Sequence, residues 1–355
     1  MTLLRKGFTT GTCAQAATKG ALIMLTQQKS VDSVEVVTPS GIKLCIGLTE
    51  QKIGDNFAGC TVIKDSGDDP DVTNGAKISA EVRFSQKKGV TIKGGEGVGK
   101  ATKPGLAIGV GEYAINPTPR RMILEEANKF LSEEKIGLDI TISVKEGEEL
   151  AKKTYNPKLG IIGGISIIGT TGIVEPKSLD AYKASLTLQL DVLKAQSIKE
   201  AVFVLGYVGE KFCREKLKFT EDSVIKIGDH IGFMLQECVK RNIKNVLLIG
   251  HIGKLIKITN SQFNTHYSFG DKRLKSIARY AESFGADKEL IEKILNQETA
   301  EAAIPFLRQA GLTAVFKKIA KDVSAKSEEF IGNALTVNCI ILSLDGGLLA
   351  ATNEA

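Results

Sequence analysis

The sequence contains no tryptophan and no block of five or more consecutive basic residues. Without tryptophan, an aromatic platform for stacking nucleic-acid bases is poorly supported, and the lack of a basic block agrees with this. No apolar run approaches the ~18 residues that cross a membrane, and the first residues lack the apolar core of an export signal. We therefore expect a cytoplasmic protein whose partners include neither nucleic acid nor membrane.

The cysteines and histidines also lack the spacings that are typical of metal-binding sites. The 6 cysteines contain no C-x-x-C pair, so we expect reduced thiols that are mostly buried as small apolar residues. Cys13 could instead have a lowered thiol pKa, because it falls in the first turn of a predicted helix. His251 and His266 have no third ligand near them, so no metal site is predicted.

Glycine is abundant, with 36 residues in a chain of 355. This implies many tight turns or close approaches of the backbone. The chain is 43% hydrophobic and 25% charged, which is typical of a globular protein, and its length favours two domains. The formal charge of +6 fits an anionic small molecule as the ligand, a weak nucleic-acid role, or no particular partner.

The first half of the sequence mixes helices and strands. An Ala-rich run at 12–27 predicts one helix, and an amphipathic run at 120–131, just behind Pro119, predicts another. Apolar or alternating runs predict strands at 33–37, 42–48, 60–63, 78–84 and 138–144. We therefore predict an α+β domain over residues 1–155.

The second half alternates strands with helices. An apolar, strand-like run at 159–169 precedes a helix at about 178–194, and three more strands each end at a glycine and lead into a helix: 201–206, 223–228 and 245–250. This pattern is typical of a mostly parallel, doubly wound sheet. We predict a Rossmann-like α/β domain over residues 156–355, with the boundary at Asn156-Pro157. Its C-terminal part is predicted as helices at 271–284, 287–296, 299–309 and 312–325 and a returning strand at 339–344.

Two stretches come close to a phosphate-binding loop. In "KGGEGVGKAT", Gly94, Gly99 and Lys100 have the right spacing, but Ala101 stands where a Ser or Thr is needed and no helix can follow. In "GISIIGTT", Gly164 and Gly169 fit, but Thr170 replaces the lysine, which leaves phosphate charge unmet. This second stretch predicts either a site for a phosphate-poor ligand or a glycine-rich strand that lets a helix pack closely.

Four aspartates lie within seven residues in "KDSGDDPDVTNG": Asp65, Asp68, Asp69 and Asp71. Close carboxylates raise one another's pKa, which makes them candidates for proton transfer. The alternative is a surface turn whose side chains cap backbone amides, and composition alone favours this alternative.

Threonines and arginines stand at two predicted helix starts. Thr9, Thr10 and Thr12 surround the start of the first helix, downstream of Arg5 and Lys6. Arg120 and Arg121 enter the helix behind Pro119. Free amides, hydroxyls and guanidinium groups together suit a carboxylate or phosphate group.

The predicted parallel sheet carries a further candidate site. Gly206 and Gly209 lie at a strand-to-helix turn, and Asp229 follows the next strand, as an adenosyl or dinucleotide site requires, although the full G-x-G-x-x-G is missing. His251 follows a strand at the edge where such sheets bind ligands. A polar loop residue without a catalytic role is the alternative for His251.

Six blocks carry a resemblance to a known family: "RKGFTTGTCAQAATKGA", "VIKDSGDDPDVTNG", "GGEGVGKATKPGL", "GEYAINPTPRRMI", "NPKLGIIGGISIIGTTGIVEP" and "GHIGKLIKI…FNTH". In this order, over about residues 5–270, they resemble the blocks of the CbiD family, the cobalt-precorrin-5B C1-methyltransferases of anaerobic cobalamin synthesis. Ile252 stands where many members have proline.

The resemblance implies transfer of a methyl group from S-adenosylmethionine to ring carbon 1 of cobalt-precorrin-5B, giving cobalt-precorrin-6A. Cobalt would arrive inside this anionic tetrapyrrole substrate. As our own hypothesis for the mechanism, Asp68 or Asp69 removes a ring proton. A homo-oligomer is compatible with the sequence. The alternatives from other classes are a tetrapyrrole carrier without catalysis and a nicotinamide-dependent precorrin reductase.

The residue patterns described above, together with this implied function, predict binding roles. The expected substrate contacts are Thr9, Thr10, Thr12, Gly95, Gly97, Arg120 and His251. Two groups compete for the methyl donor, and the sequence does not choose between them. The first is Gly163, Gly164, Ser166, Gly169, Thr170, Thr171 and Gly172; the second is Gly206, Gly209 and Asp229.

Overall fold

The computed structural model describes residues 4–131, 137–220 and 223–353. The chain is a mixed α/β protein that divides into two compact units, Met1–Tyr182 and Lys183–Ala355. Among the described residues, no helix combines the length and the apolar character needed to cross a membrane.

The first unit is built on a five-stranded sheet in the order β4-β5-β6-β9-β7. Its strands pair antiparallel, except that β7 and β9 run parallel. The strands of this unit are β1 (Gly7–Phe8), β2 (Ser33–Val37), β3 (Lys43–Gly47), β4 (Thr49–Ile53), β5 (Phe57–Ile63), β6 (Lys77–Ser85), β7 (Val90–Gly94), β8 (Lys100–Ala101), β9 (Gly137–Val144), β10 (Ile161–Ile162) and β11 (Ile173–Val174).

Helix α1 (Thr10–Gln27) lies against β5 and β6 and also contacts α2 (Pro117–Leu131). Its alanines allow this close approach, and Gly20 allows another, because a β-carbon there would lie 2.3 Å from the side chain of Leu48. Alternating β6 and β9 direct Ile78, Ile140 and other aliphatic residues into the core beneath α1. Short α3 (Gly147–Ala151) follows β9, and α4 (Leu179–Ala195) crosses the division between the units.

The second unit contains a sheet in the order β13-β12-β14-β15-β16. The first four strands are parallel, and β16 is antiparallel to β15. The strands are β12 (Glu200–Val204), β13 (Val224–Lys226), β14 (Asn245–His251), β15 (Thr336–Leu342) and β16 (Leu348–Ala351). The chain therefore builds outward from β12 in both directions, and the order reverses between β12 and β14.

Further helices of the second unit follow or lie between these strands. They are α5 (Tyr207–Glu215), α6 (Ile231–Lys240), α7 (Ile252–Leu255), α8 (Arg273–Ser283), α9 (Lys288–Leu295), α10 (Ile304–Gln309) and α11 (Ala314–Phe330). Helix α11 packs against β15. The predicted C-terminal helices and the returning strand are confirmed as α8 to α11 and β15.

The structure differs from the sequence prediction at residues 159–169. Only Ile161–Ile162 form a strand there, and the segment pairs with first-unit residues through β8 and through single bridges of Ile165 to Val98 and Ile167 to Ile115. Glycines interrupt the run and prevent a continuous ladder. Residues 156–182 therefore lie in the first compact unit, so the division falls later than the boundary expected at Asn156-Pro157.

Gly97 offers a test of this packing. It has a positive φ of 69°, and a β-carbon there would lie 2.0 Å from the carbonyl oxygen of Val144. Gly111 also has a positive φ, 87°, but no atom lies within 4 Å of its β-carbon position. We expect Gly111→Ala to lower the free energy of unfolding by about 1 kcal/mol, and Gly97→Ala to lower it clearly more, because only Gly97→Ala adds a clash. Urea unfolding measures both, and equal losses would contradict the packing described.

Candidate active site

In the Asp-rich turn, Asp65 and Asp71 each accept hydrogen bonds from their own set of donors. Asp65 accepts two hydrogen bonds from the guanidinium of Arg5, at 2.5 and 2.8 Å, and one from the amide of Gly67. Asp71 accepts a hydrogen bond at 2.6 Å from the buried Lys64 ammonium, and others from Thr73. These contacts match the alternative in which the aspartates cap a turn.

Their ionisation follows from these contacts. Hydrogen bonds from Arg5 and from the Gly67 amide hold the pKa of Asp65 below its usual value. Burial acts to raise the pKa of Asp71, but the hydrogen bonds and charge of Lys64 outweigh it, so the pKa is lowered. The expectation of mutually raised pKa values is therefore wrong for Asp65 and Asp71, because each carboxylate has its own donors.

Asp68 and Asp69, the expected proton acceptors, lie at the outer side of the same turn. Asp68 is exposed and accepts the backbone N–H of Arg5 at Oδ2, at 2.6 Å. Asp69 is half-buried and accepts the backbone N–H of Lys177 at Oδ1, at 2.9 Å. The turn thus contacts both the segment that precedes α1 and the segment that follows β11.

The three threonines at the start of α1 bind the loop at residues 166–172. Thr9 caps the helix by accepting from the Thr12 amide. The Thr10 hydroxyl donates to the carbonyls of Ser166 and Ile168 and accepts from the Ile168 amide. The Thr12 hydroxyl donates to the carbonyl of Gly172 at 2.7 Å. Thr10 and Thr12 are buried, so the structure uses their hydroxyls to hold the loop.

The loop is shaped by its own glycines. Gly169 has a φ of 134°, and a β-carbon there would lie 2.2 Å from the Thr9 hydroxyl. A β-carbon at Gly172 would press on Thr38. Thr170 and Thr171 are exposed at the tip of the loop. The structure therefore brings three expected substrate residues together with five expected donor-binding residues of the loop at 166–172.

Gly95 and Gly97 lie near the other half of the first donor group. Gly97 accepts the amide of Ile165 at 3.0 Å, and a β-carbon at Gly164 would lie 2.1 Å from the Gly97 carbonyl oxygen. A β-carbon at Gly95 would meet the Ser143 hydroxyl. These glycines are required for close backbone contact, whereas Gly163 is exposed with open space around it.

Ser166 and Lys100 are also used by the fold. The Ser166 hydroxyl donates to the side-chain oxygen of Asn156, whose amide nitrogen donates to the Gly164 carbonyl. Lys100 enters the two-residue strand β8 and places its ammonium 4.5 Å from the centre of the Tyr113 ring. No helix follows Lys100, so the geometry of a phosphate-binding loop is not formed.

Helix α2 begins beside the same segment as α1. The Asn116 amide donates to the Ile167 carbonyl at 3.0 Å, and the Gly11 β-carbon position lies 2.7 Å from the ring of Pro119. Arg120 is half-buried and donates weakly to the Ile92 carbonyl at 3.3 Å, while Arg121 is exposed. Two helix N-termini therefore meet at residues 166–168, where their dipoles favour negative charge.

The second unit places its expected residues at the carboxyl ends of the parallel strands. Gly206 starts α5 with an extended φ of 174°, no side chain caps it, and no atom lies within 4 Å of its β-carbon position. Gly209 differs, because its β-carbon position lies 3.1 Å from the Ile249 carbonyl, where helix and sheet pack closely. The open turn follows β12, beside the point where the strand order reverses.

Lys254 connects Asp229 to this turn. Oδ1 of Asp229 accepts the Thr265 hydroxyl at 2.6 Å and the Lys254 ammonium at 3.0 Å. Lys254 also donates to the carbonyl of Leu205, the residue before Gly206, at 3.2 Å. Burial acts to raise the pKa of Asp229, but Thr265 and Lys254 outweigh it and lower the pKa, which keeps the carboxylate ionised.

His251 ends β14 with both ring nitrogens engaged. Nδ1 accepts the Gly253 amide at 3.1 Å, so the proton is on Nε2, which donates to Glu301 at 2.8 Å. The same Glu301 oxygen accepts the Leu344 amide. The ring therefore links the loops after β14 and β15. His266 is exposed, and its Nδ1 lies 2.8 Å from the Ser268 hydroxyl.

The cysteines and possible metal ligands are placed as follows. Cys13 is fully buried, and burial raises the pKa of its thiol, so the expectation of a lowered pKa is wrong. Five of the six cysteines are buried and Cys45 is exposed. Within residues 4–131, 137–220 and 223–353, no group of three His, Cys, Asp or Glu side chains could hold a metal ion.

Sequence reasoning missed Lys254, Thr265 and Glu301 as candidate residues. Lys254 follows a predicted apolar strand by a few residues, which is a signal that it lies near the ligand-binding edge of the sheet. Thr265 and Glu301 carry no comparable signal, because their partners Asp229 and His251 are far away in the sequence.

A protein from Alkaliphilus metalliredigens, named cobalt-precorrin-5B C(1)-methyltransferase, is 42% identical over 352 residues, which are 99% of this chain and 93% of that protein. The family model CbiD matches residues 1–176, and the model of the CbiD C-terminal domain matches residues 264–353. The chain belongs to the CbiD family.

Other relatives in the CbiD family have the same name. The protein from Methanocaldococcus jannaschii is 43% identical over 348 residues, covering 97% of this chain and 95% of that protein. A crystal structure of the CbiD protein of Archaeoglobus fulgidus is 32% identical, with a TM-score of 0.40 over 79% of this chain and 85% of that one. Gly206, Asp229, His251 and Lys254 lie between the residues matched by the two CbiD models, and Thr265 lies inside the second match.

The Lys64–Asp71 pair predicts a dependence of stability on pH. The folded pKa of Asp71 is lowered, so its contribution is present above the unfolded pKa of about 4 and is lost as the pH falls through the folded value. We expect Asp71→Asn to destabilise the protein by about 3 kcal/mol at pH 7, because the Lys64 ammonium then stays buried without its counter-ion.

Urea unfolding from pH 7 to pH 3 measures this effect. The stability of Asp71→Asn should fall less steeply below pH 5 than that of the unmodified protein, whereas the exposed control Asp55→Asn should follow the unmodified protein. Parallel curves for Asp71→Asn and the unmodified protein would show that Asp71 contributes no such dependence.

Proposed function

We propose that this chain is a cobalt-precorrin-5B C(1)-methyltransferase, which transfers a methyl group from S-adenosylmethionine to ring carbon 1 of the macrocycle. The observation that supports the reaction most strongly is identity of 42–43% to proteins of this name over nearly the whole chain. Cobalt belongs to the substrate in this reaction. No residue of the protein has to hold it.

We propose that the methyl donor binds in the second unit, whose parallel sheet we assign to the Rossmann-like class. The support is the open Gly206 turn beside the reversal of strand order, with the Asp229 carboxylate nearby. An adenosyl group needs such an unobstructed turn and an acceptor for its ribose hydroxyls. S-adenosylmethionine carries no phosphate, which agrees with a turn lacking a phosphate-binding lysine motif.

The competing donor group in the first unit is less well suited to a ligand. The backbone and side chains of Ser166, Gly169 and Gly172 are already bound to, or packed against, α1 and Asn156. Of the glycines in this group, Gly163 alone combines exposure with open space. A ligand at this loop would have to displace contacts that hold the start of α1.

The first unit is the proposed binding site for the macrocycle. Its substrate carries acetate and propionate groups, and the paired N-termini of α1 and α2, with Arg120 and Arg121 beside them, favour carboxylates. Ile162 and Ile168 are exposed on the adjoining segment and offer apolar surface to a flat ring. The buried hydroxyls of Thr10 and Thr12 hold this segment in place through hydrogen bonds to its backbone carbonyls.

The protein contributes mainly alignment to the methyl transfer. The sulfonium of the donor supplies an electrophilic methyl group, so no side chain has to act as a nucleophile. Holding two reactants in line can lower the barrier by about 7–11 kcal/mol at best. Asp68 is our proposed acceptor for the ring proton, because it is exposed and its N–H contact uses only Oδ2. Asp69 is the second choice, with Oδ1 held by Lys177.

The reaction is tested by anaerobic incubation of the purified protein with cobalt-precorrin-5B and methyl-labelled S-adenosylmethionine. We expect a macrocycle heavier by one methyl group, with the label at carbon 1. Asp68→Asn should lower kcat by about 10²-fold or more with little change in KM, because it removes proton transfer. Asp55→Asn is the matched surface control. An unchanged macrocycle mass would refute the function, and normal turnover by both Asp68→Asn and Asp69→Asn would refute only the assignment of the base.

The donor site is tested by calorimetry with S-adenosylhomocysteine. Gly206→Val should bind at least tenfold more weakly yet unfold at nearly the same temperature, because valine tolerates an extended φ and no atom lies within 4 Å of the β-carbon position. Gly163→Ala adds a methyl group in open space at the first-unit loop; its positive φ of 83° makes this cost about 1 kcal/mol of stability, but affinity should be unchanged. The reverse result would place the donor in the first unit.

A further inference from the structure

The two carboxylate oxygens of Asp229 differ in their hydrogen bonds. Both donors near it, the Thr265 hydroxyl and the Lys254 ammonium, contact Oδ1. Among the residues that the structure describes, none donates a hydrogen bond to Oδ2. The side chain of Asp229 is 26% exposed, so a ligand in solvent can reach it although most of it is buried.

Thr265 is itself held by three hydrogen bonds. Its amide donates to the backbone carbonyl of Asp229 at 3.2 Å, and its hydroxyl donates to Oδ1 of the same residue. Its carbonyl accepts the ammonium of the buried Lys257 at 2.8 Å. A backbone bridge between His230 and Asn264 fixes the neighbouring residues. These backbone contacts therefore fix the position of Thr265, and its hydroxyl is directed at Oδ1 of Asp229.

Lys254 connects Asp229 to the glycine turn. Its ammonium donates to Asp229 and to the Leu205 carbonyl, which immediately precedes Gly206. One cation thus fixes the distance between the open turn and the carboxylate. A ligand that uses both would find them already in place, which reduces the entropy lost on binding.

We propose that Thr265 and Lys254 are positioning residues that hold Oδ1 of Asp229, so that Oδ2 is presented to the vicinal hydroxyls of an adenosyl ribose. This inference rests on the proposed donor site in the second unit. A carboxylate oxygen has two lone pairs and can accept two hydroxyls, which fits a 2′,3′-diol. The arrangement makes the site select ribosyl over deoxyribosyl ligands.

The experiment compares S-adenosylhomocysteine with its 2′-deoxy analogue by calorimetry on the full chain. We expect the unmodified protein to prefer the ribosyl ligand by about tenfold or more, as for a hydrogen bond to a charged group. Thr265→Val should reduce this preference to threefold or less, because Asp229 loses its fixed orientation. Thr265→Ser keeps the hydroxyl and should restore the preference.

Lys254 is tested in the same way. Lys254→Met should lower the preference, and Lys254→Arg should retain most of it. Thr259→Val is the matched control, because the Thr259 hydroxyl donates to the Ile256 carbonyl in the same segment and does not contact Asp229. Thermal unfolding of each variant shows whether the fold is retained, and the two conservative variants keep the test valid if Thr265→Val or Lys254→Met fails to fold.

The outcomes separate this inference from the proposed donor site. If S-adenosylhomocysteine does not bind the unmodified protein, the donor site itself is refuted. If it binds with a ribosyl preference that Thr265→Val and Lys254→Met leave unchanged, the positioning role is refuted and the donor site stands. If these variants weaken both ligands equally, the two residues act only in the general stability of the loop, and the inference is also overturned.

Discussion

The first unit depends on two stretches of backbone that touch with no side chain between them. Gly97 and Gly164 meet so closely that a β-carbon at Gly164 would overlap the Gly97 carbonyl. This contact lets residues 161–168 enter the unit as a partner of β8 and of Val98. The loop that follows is then held by Thr10 and Thr12 at the start of α1. The glycine spacing that resembles a phosphate-binding loop is therefore explained by packing.

The fold was predictable from the sequence where the pattern is local. Strand β6 alternates apolar and polar residues with the period of a strand, helix α1 is marked by an Ala-rich run without proline, and β14 is marked by a continuous apolar run. The run at 159–169 was misassigned because its isoleucines suggest a strand, whereas positive φ values at Gly160 and Gly163 break the ladder. Strand β7 (Val90–Gly94) was missed inside a glycine-rich stretch, since its pairing with β9 depends on residues distant in the sequence.

The candidate site was predictable only in part, for the same reason. Gly206, Asp229 and His251 could be placed at one edge of the sheet because each follows a predicted parallel strand. Which groups pair there could not be predicted. Thr265 reaches Asp229, and Glu301 reaches His251, across chain separations that no local pattern spans. The same limit applies to Asp65 and Asp71, whose pKa values depend on whether a cation or another carboxylate is the nearest neighbour.

The space around each glycine distinguishes two roles that the sequence alone cannot separate. Gly97, Gly164 and Gly169 have backbone or side-chain atoms where a β-carbon would stand, so the fold itself requires them. Gly206 has an ordinary extended φ and empty space, so neither backbone conformation nor packing explains its glycine. The proposed methyl donor, approaching the backbone at this turn, would account for the glycine. The open turn at Gly206, near a carboxylate held by Lys254, is therefore the place where that ligand is expected.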